Sequence, residues 1–451
     1  MSFIRKREYL ILLFGDICIF AASLWLTLLI RYLAIPTWGT LEIHFVPFSL
    51  LFVVWCAVFF IAGLYGKHTR LFRRKLPTTI ISAQVINILL AAMLFFLVPI
   101  FGIAPKTNLL LYLVISTAII VTWRLAVFPR IRPSKQLKGV LIAAGPDAKE
   151  LADEIDQDHR YPFTFAYTID TSKVPVHEVI QRACRVAEED DVMFVVVDYA
   201  DAGVSAALPI IYDAAFHKRR FALIDIVELY QEVFDRVPIT LTRYAWVLDQ
   251  VGASHIYDIL KRGLDIAVGA ILGVLSLVFY PFVMLAIKLD DGGPIFIAQE
   301  RVGRFQKTIK VLKFRSMSGN DSGNYDETGK TKLKVTRIGK WLRLLRVDEL
   351  PQLWAVMKGD LSLVGPRPEL PALANQYSAR IPYYNARYLV APGLTGWAQI
   401  KHDAHPHHGT AMEATKEKLS YDLYYLQHRS LAIDLFIILQ TIRIVLTAKG
   451  S

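Results

Sequence analysis

Four long apolar stretches lead the chain, at about residues 9–30, 45–65, 79–103 and 109–128. Each supplies about the 20 residues a helix needs to cross a hydrocarbon core of roughly 30 Å, so four membrane spans are predicted. From Lys138 the pattern changes to short strand-like runs alternating with helical ones. Residues 139–144, 192–198 and 221–226 read as strands and 147–158 as a helix, which predicts a small parallel α/β layer. After Lys261 and Arg262 the apolar pattern returns: Ile266 to Ile287 is a run of 22 uncharged residues, about 33 Å long as a helix. Residues 336–346 then alternate Arg337, Lys340, Arg343 and Arg346 with Ile338, Trp341, Leu342 and Leu345. On a helix this gives one basic and one apolar face, suited to lying in the headgroup plane. The closing run 431–446 is apolar but carries Asp434 and Arg443, and is read as packing on the membrane face rather than crossing.

These patterns divide the 451 residues into blocks 1–135, 136–250 and 251–451, in keeping with roughly 150 residues per domain. A hydrophobic content of 54% with 20% charged residues excludes disorder and is too apolar for an ordinary cytosolic enzyme. The net charge of +11 is unevenly spread: 14 Lys/Arg face three acids in the first block, 11 face 20 in the second and 26 face 17 in the third. Basic residues beside apolar segments report orientation against an anionic leaflet, whereas a nucleic-acid binder carries its charge as a stripe on a soluble fold; no nucleic acid is expected. Arg5 to Arg7, Lys67 to Lys75 and Arg130 to Lys135 are basic clusters, and the two remaining loops hold only Lys106. The positive-inside rule therefore puts both ends of the bundle, and everything after it, in the cytoplasm.

A fifth crossing by 266–287 would export Arg301, Arg304, Lys307, Lys310, Lys313 and Arg315. A re-entrant helix over about 264–288, broken at Pro281, keeps both basic flanks on one side, since proline lacks an N–H and clashes with the preceding turn. Asp16 lies within the first span, where an ionisable group needs a partner or water, and is read as a packing residue. Cys18, Cys56 and Cys184 provide neither a disulfide framework nor a zinc spacing. In the α/β layer, Gly145-Pro146-Asp147-Ala148 has one glycine where a G-x-G-x-x-G turn needs more, and an acid where pyrophosphate would approach. A docking or regulatory module is the better reading there.

Candidate chemistry gathers after the basic helix. Asp348-Glu349-Leu350-Pro351 precedes Leu353, Trp354 and Met357 at helical spacing, and Lys358-Gly359 closes that helix. This places Asp348 at or near an N-cap, where the helix dipole keeps a carboxylate ionised. An ionised Asp is a nucleophile toward phosphorus, and a neighbouring Glu can hold Mg²⁺ against phosphate oxygens. A plain capping acid would explain Asp348 but not Glu349 and its cationic surroundings. Among these, Gly365-Pro366-Arg367-Pro368-Glu369 fixes an arginine between prolines, and Gly303 to Met317 adds Lys310, Lys313 and Arg315. Cations converging on paired carboxylates beside an interfacial helix suit phosphoryl transfer with one lipid substrate, a reaction driven by positioning and charge neutralisation.

Several motifs occur in order: Lys261-Arg262-Gly263-Leu264-Asp265, Gly293-Pro294-Ile295-Phe296 continuing to Gly303, Lys313-Phe314-Arg315-Ser316-Met317, Asp348-Glu349-Leu350-Pro351-Gln352-Leu353, Leu361 to Glu369, and Pro392-Gly393-Leu394-Thr395-Gly396. With these, residues 255–451 resemble the bacterial polyprenyl-phosphate sugar-1-phosphate transferases, the monotopic phosphoglycosyl transferase superfamily. The spans and α/β module ahead are similar to its long subfamily, which initiates exopolysaccharide, capsule and O-antigen synthesis. The resemblance implies a four-span α-helical membrane bundle, a Rossmann-like α/β domain and an α+β catalytic domain with a re-entrant helix, at the cytoplasmic face of the bacterial inner membrane. It further implies transfer of a hexose 1-phosphate, from UDP-glucose or UDP-galactose, to undecaprenyl phosphate with release of UMP, and Mg²⁺ as cofactor. Asp348 takes the family's nucleophile position, forming a covalent phosphosugar, and Glu349, with Asp348 beside it, the metal position. Arg343, Arg367, Lys313, Arg315 and Asp422 fall at positions that contact substrate phosphates. The family often has serine before the helix-breaking proline; here it is Tyr280.

The competing reading is a membrane-anchored nucleotide sensor or assembly scaffold whose last block is inactive. A homodimer is expected in either case. The loop carrying His402, Asp403, His405, His407 and His408 reads as substrate-side or solvated, since Mg²⁺ prefers oxygen and Pro406 interrupts any helical spacing. Residues 320–334 are polar and glycine-bearing, a flap over the nucleotide or a plain loop.

Overall fold

Helix α1 (Ser2–Tyr32) runs without a break through the first apolar stretch, followed by α2 (Trp38–Ile61), α3 (Leu76–Leu97) and α4 (Pro105–Thr122). The computed structural model describes residues 2–65, 76–97, 105–131, 137–157, 161, 163–172, 178, 192–202, 204–205, 208–209, 212, 221–242, 255–318, 333–401 and 412–446. Within α1, α2 and the α4 segment, Leu10–Tyr32, Trp38–Ile61 and Leu109–Val127 are long and apolar enough to cross a bilayer. Helix α3 carries a shorter apolar stretch, Thr79–Phe95, and residues 98–103 of the expected third span lie outside the described residues. The expected basic loop 67–75 lies outside them as well.

Aromatic rings fill the middle of this bundle, with Phe20, Phe48, Trp55, Phe59 and Tyr112 buried together. Lipid tails are as apolar as these side chains, so close packing and interhelical hydrogen bonds hold such helices together. Trp55 Nε1 donates to Asn87 O at 3.0 Å, Tyr112 O–H to Phe20 O at 3.0 Å and Gln84 Nε2 to Ser116 Oγ at 2.8 Å. Beyond α4 the chain loosens into a π-helical turn, Trp123–Val127. That turn carries Arg124, whose Nη2 pairs with Asp16 Oδ2 and whose Nη1 donates to Leu64 O at 2.6 Å. Tyr65 O–H also donates to Asp16 Oδ2, at 2.8 Å. The charge inside the first helix thus has its partner just beyond the fourth.

The chain divides into two compact units, residues 1–137 with 158–164, and residues 138–157 with 165–451. The second opens with a sheet of order β2-β1-β3-β4, in which β1 (Leu137–Ile142), β3 (Phe194–Val197) and β4 (Ala222–Asp225) are parallel neighbours. Val140, Ile142, Val195 and Val197 make its apolar core. Strand β2 (Phe163–Ile169) was not among the expected strands: Ala166, Tyr167 and Thr168 are exposed in succession, so its sequence lacks a buried-strand pattern. Helices α5 (Pro146–Gln157) and α6 (Ile226–Phe234) follow β1 and β4.

The second apolar problem resolves into two helices, α7 (His255–Ser276) and α8 (Tyr280–Asp291), bent by 56° across a three-residue break, the geometry of a broken span or a re-entrant loop. The break precedes Pro281 instead of falling on it. A proline cannot bond the carbonyl four residues back, here Leu277 O, but fits the first turn of a helix, where its missing N–H costs nothing. Leu277 O instead accepts from Tyr280 N at 3.2 Å, within a run of short i to i−3 bonds. Leu272, Val278, Phe279, Phe282 and Leu285 are exposed around the bend.

A hairpin of β5 (Phe296–Val302) and β6 (Thr308–Phe314) follows, then α9 (Arg337–Leu344), a 3₁₀ turn (Val347–Glu349) and α10 (Gln352–Lys358). Strands β7 (Ser362–Val364) and β8 (Gly393–Thr395) are parallel, with α11 (Pro371–Arg380) between them. Helices α12 (Trp397–Lys401), α13 (Met412–Gln427) and α14 (Leu431–Leu446) complete the block. Val311, Val356, Leu361, Val364, Tyr425 and Ile437 form the core that joins α10, the hairpin and the last helices.

Candidate active site

Three residues from the motif ahead of the bend hold the site's scaffold. Lys261 Nζ pairs with Asp434 Oδ2 at 3.0 Å on α14, and Asp265 Oδ1 accepts from Leu363 N at 3.1 Å on β7. Arg262 donates from Nη1 and Nη2 to Val356 O and Met357 O, each at 2.7 Å, engaging carbonyls in the last turn of α10, where Val356 O also accepts from Gly359 N at 3.1 Å. The other end of the bent pair is tied to α9, because Asp290 Oδ2 accepts from Ile338 N at 3.0 Å. Thr336 Oγ1 caps α9 by accepting from Gly339 N at 2.9 Å. Arg346, left-handed at φ 55, ends that helix and swings the chain into the turn bearing Asp348 and Glu349.

Asp348 is therefore not a helix N-cap. Pro351 occupies the cap of α10 without a side-chain bond, and Asp348 sits three residues earlier in the 3₁₀ turn, only 9% exposed. The dipole argument fails with it: burial, then the charge of Glu349, push the Asp348 carboxyl up to about 6 against Lys313, Arg343 and Arg346. Glu349 behaves in the opposite way. Burial would raise it, but Arg367, Lys313 and Arg346 outweigh burial and hold it well below the usual carboxylate range. Arg367 Nη2 is 3.0 Å and Lys313 Nζ 3.6 Å from Glu349 Oε1, and Arg346 Nη1 is 3.9 Å from Oε2. Burial in turn brings the Lys313 ammonium down to about 8, partly opposed by Glu349.

Arg367 arrives on a loop whose backbone is pressed against a second one. A Cβ at Gly393 would lie 2.1 Å from Gly365 N, so only glycine permits this approach. Gly365 N donates to Thr395 O and Gly393 N to Pro366 O, both at 2.9 Å. Two glycine-bearing motifs 28 residues apart are thus one structural element that presents Arg367.

The remaining expected phosphate contacts are placed differently. Arg343 acts on Asp348 electrostatically and its Nη1 reaches Met317 Sδ at 3.4 Å. Arg315 is buried in an ion pair with Asp291 at the end of α8, and Asp422 is buried against Arg387 at 2.8 Å. Neither is brought to the carboxylate pair by any contact described. Conversely, Arg346, Arg262, Arg301 and Arg387 serve the site and were not singled out for it. Arg262 and Arg301 stand within motifs quoted above and Arg346 three residues before Glu349, whereas Arg387 carried no signal. The histidine-rich loop 402–408 and residues 320–332 lie outside the described residues.

Lys313, Arg343, Arg346 and Arg367 outnumber Asp348 and Glu349 by two positive charges, an excess that matches a diphosphate. Among the described residues no three or more His, Cys, Asp or Glu converge as a metal cage. Mg²⁺ usually takes one or two carboxylates and completes its shell with water and substrate phosphates. The adjacent carboxylates fit that kind of site, with Asp348 in no ion pair among the described residues.

Comparison with known proteins bears on the block that contains this site. Residues 256–448 match the family model described as bacterial sugar transferase. The chain is 41% identical over 196 residues to UDP-glucose:undecaprenyl-phosphate glucose-1-phosphate transferase of Caulobacter vibrioides, covering 43% of this chain and 72% of that protein. It is 40% identical over 207 residues to UDP-N-acetylgalactosamine-undecaprenyl-phosphate N-acetylgalactosaminephosphotransferase of Aeromonas hydrophila, covering 44% of this chain and 46% of the other. The chain is 30% identical over 331 residues to undecaprenyl-phosphate glucose phosphotransferase of Komagataeibacter xylinus, covering 68% of this chain and 58% of that one. The match thus spans about half the length of the Aeromonas relative. With this similarity over most of the Caulobacter protein, the chain belongs to the bacterial sugar transferase family of polyprenyl-phosphate sugar-1-phosphate transferases.

Proposed function

We propose that the protein transfers a hexose 1-phosphate from a UDP-sugar to undecaprenyl phosphate, releasing UMP, at the cytoplasmic face of a bacterial inner membrane. The observation that carries this reading is the buried Asp348–Glu349 pair set among Lys313, Arg346 and Arg367. The names of the relatives supply the substrate class. In the first step an ionised Asp348 oxygen attacks the phosphorus next to the sugar; the bond to the bridging oxygen breaks and UMP leaves with that oxygen and its electron pair. An oxygen of the lipid phosphate then attacks the same phosphorus, the aspartyl bond breaks, and the carboxylate is restored. Glu349, oriented by Arg367 and Lys313, and Asp348 would hold Mg²⁺, which neutralises charge on phosphate oxygens. Arg343, Arg346, Arg367 and Lys313 bind and orient the diphosphate, in keeping with a reaction that depends on positioning and electrostatics.

The N-terminal bundle is read as four spans and α7–α8 as a re-entrant pair that keeps the site in the inner leaflet's headgroup layer, with two copies of the chain forming a homodimer. The product would begin exopolysaccharide, capsule or O-antigen synthesis, with glucose or galactose the expected sugar and N-acetylgalactosamine the next to assay. The test is a panel of UDP-sugars with purified full-length protein, undecaprenyl phosphate and Mg²⁺, assayed for UMP. A sugar-dependent release, with about one equivalent of UMP per site before lipid is added and none in Asp348→Asn, is expected. No UMP from any donor, or full activity in Asp348→Asn, overturns the reading.

A further inference from the structure

Arg387 is among the largest fully buried side chains in the molecule, 1% exposed, and the reaction outlined above gives it nothing to do. Its Nη2 is shared between Arg367 O at 3.0 Å and Asp422 Oδ2 at 2.8 Å, and its Nη1 reaches the Tyr384 hydroxyl at 2.8 Å and Glu369 Oε2 at 3.4 Å. Glu369 Oε2 also takes Lys418 Nζ at 2.9 Å. Two cations and two carboxylates therefore balance one another out of water. Burial raises Glu369, but Lys418 and Arg387 prevail and bring it down to about 2, so it stays ionised through the neutral range.

The loop over this cluster is held at every carbonyl. Pro366 O accepts from Gly393 N at 2.9 Å, Arg367 O from Arg387, Pro368 O from Arg301 Nη1 at 3.3 Å and Glu369 O from Val302 N at 2.9 Å. Four consecutive carbonyls are thus pinned by donors from β5, β8 and the 3₁₀ segment Tyr384–Leu389. The one taken by Arg387 belongs to the residue whose side chain reaches Glu349. Burying a guanidinium is costly, and apolar groups of like volume usually serve stability as well. A charged group there is accounted for by what it holds.

We infer that Arg387 is a positioning residue: anchored by Asp422 and Glu369, it fixes the Arg367 backbone so that the Arg367 guanidinium meets Glu349 and the incoming diphosphate. Asp422 then acts on phosphate only at two removes. The inference rests on the transferase reading for its kinetic consequence and on geometry alone for its structural one.

The test is a double-mutant cycle on full-length protein in lipid nanodiscs, read as kcat/KM for UMP release and, separately, as amide hydrogen exchange by mass spectrometry. Arg387→Lys retains the charge but lacks the planar fork that reaches the Arg367 carbonyl, Asp422, Glu369 and Tyr384 at once. It is expected to lower kcat/KM about tenfold or more beside native Arg367, and less than about twofold in an Arg367→Ala background. Exchange should rise in peptides covering 361–370 and stay unchanged in the α/β sheet. Equal losses in both backgrounds, or unchanged exchange over 361–370, overturn the inference; a rise in exchange throughout the chain marks a merely structural role and overturns it as well. Should Arg387→Lys not accumulate as folded protein, Asp422→Asn, which slackens Arg387 without removing it, goes through the same cycle with the same expectations. If the native enzyme releases no UMP from any donor, the transferase reading falls, and the exchange measurement alone decides the role of Arg387.

Discussion

Arg367 Nη2 stands 3.0 Å from Glu349 Oε1, while Asp348, one residue earlier, is in no ion pair among the described residues. The two neighbouring carboxylates are thereby separated in character. Glu349 is held well below the usual carboxylate range by Arg367, Lys313 and Arg346, and Asp348 is buried with a raised affinity for its proton. Environments that push two adjacent acids apart usually mark a division of labour. Arg367→Ala removes a charge from the diphosphate and releases Glu349, so kcat for UMP release should fall about 10²- to 10³-fold, the range seen when one preorganised charge-stabilising donor is lost. Arg367→Lys keeps the charge without the planar fork and should fall between the two. Initial rates at saturating UDP-sugar check this, and an Arg367→Ala enzyme within about twofold of the native rate contradicts the assignment.

The pH profile follows from the same pair and from Lys313. Asp348 attacks only when ionised, so activity rises as pH climbs through about 6. Lys313 helps only when charged, so its contribution falls as pH climbs through about 8. The expected kcat/KM profile is a bell between these limbs, reporting apparent values of the coupled group. Mg²⁺ beside the carboxylates shifts the acid limb downwards, so it is read at the lowest concentration supporting turnover. Lys313→Arg keeps its charge at all these pH values and should flatten the alkaline limb while leaving the acid one. An unchanged alkaline limb in Lys313→Arg assigns it to another group.

The length of the apolar runs alone marked the stretch 431–446, which is the helix Leu431–Leu446, and the four N-terminal helices, because a helix among apolar surroundings needs an unbroken apolar sequence. What it missed had no local cause. Asp348 looked like a helix cap because Pro351 and Gly359 bracket a helix, but the left-handed Arg346 turns the chain early and leaves Asp348 outside. Its raised proton affinity comes from burial under segments distant in sequence. Likewise, Arg387 lies 20 residues from the carbonyl it holds, a contact that exists only once β7 and β8 are side by side. Arg367 was legible because its prolines advertise a fixed backbone, whereas the partners that fix it look like ordinary arginines.

Asp16 and Arg124 make a charged pair inside the N-terminal bundle, joined by Tyr65 O–H at 2.8 Å from Asp16 Oδ2. Removing one member of a buried pair leaves an uncompensated charge, typically a loss of about 3–5 kcal/mol, while replacing both with apolar groups is often neutral. Asp16→Ala alone should therefore sharply reduce the yield of detergent-stable protein, and Asp16→Ala with Arg124→Leu should restore it. Fluorescence-detected size exclusion after a heat step measures both. If the double variant is as unstable as the single one, the pair does more than compensate itself.

Pro281 sets the path of the bent pair. With residues 255–276 and 280–291 both helical, the only obstacle to one continuous helix is the turn at 277–279, and Leu277 O cannot receive an N–H from residue 281. Proline inside a helix costs about 3 kcal/mol, so Pro281→Ala lowers the barrier to straightening by up to about that amount. A straight helix of this length would reach across the bilayer and carry the β5–β6 hairpin, with Arg304, Lys307 and Lys310, to the far side. The basic flanks oppose that exchange but do not forbid it. In a cysteine-free background, the re-entrant reading expects Ile256→Cys and Lys307→Cys both to resist an impermeant maleimide on intact spheroplasts and to react once the membrane is opened. Adding Pro281→Ala should expose a fraction of Lys307→Cys from outside and none of Ile256→Cys. Labelling of Lys307→Cys from outside with Pro281 intact would instead mean that the pair crosses the membrane, and that the carboxylates and the hairpin's Lys313 stand where no cytoplasmic nucleotide reaches them.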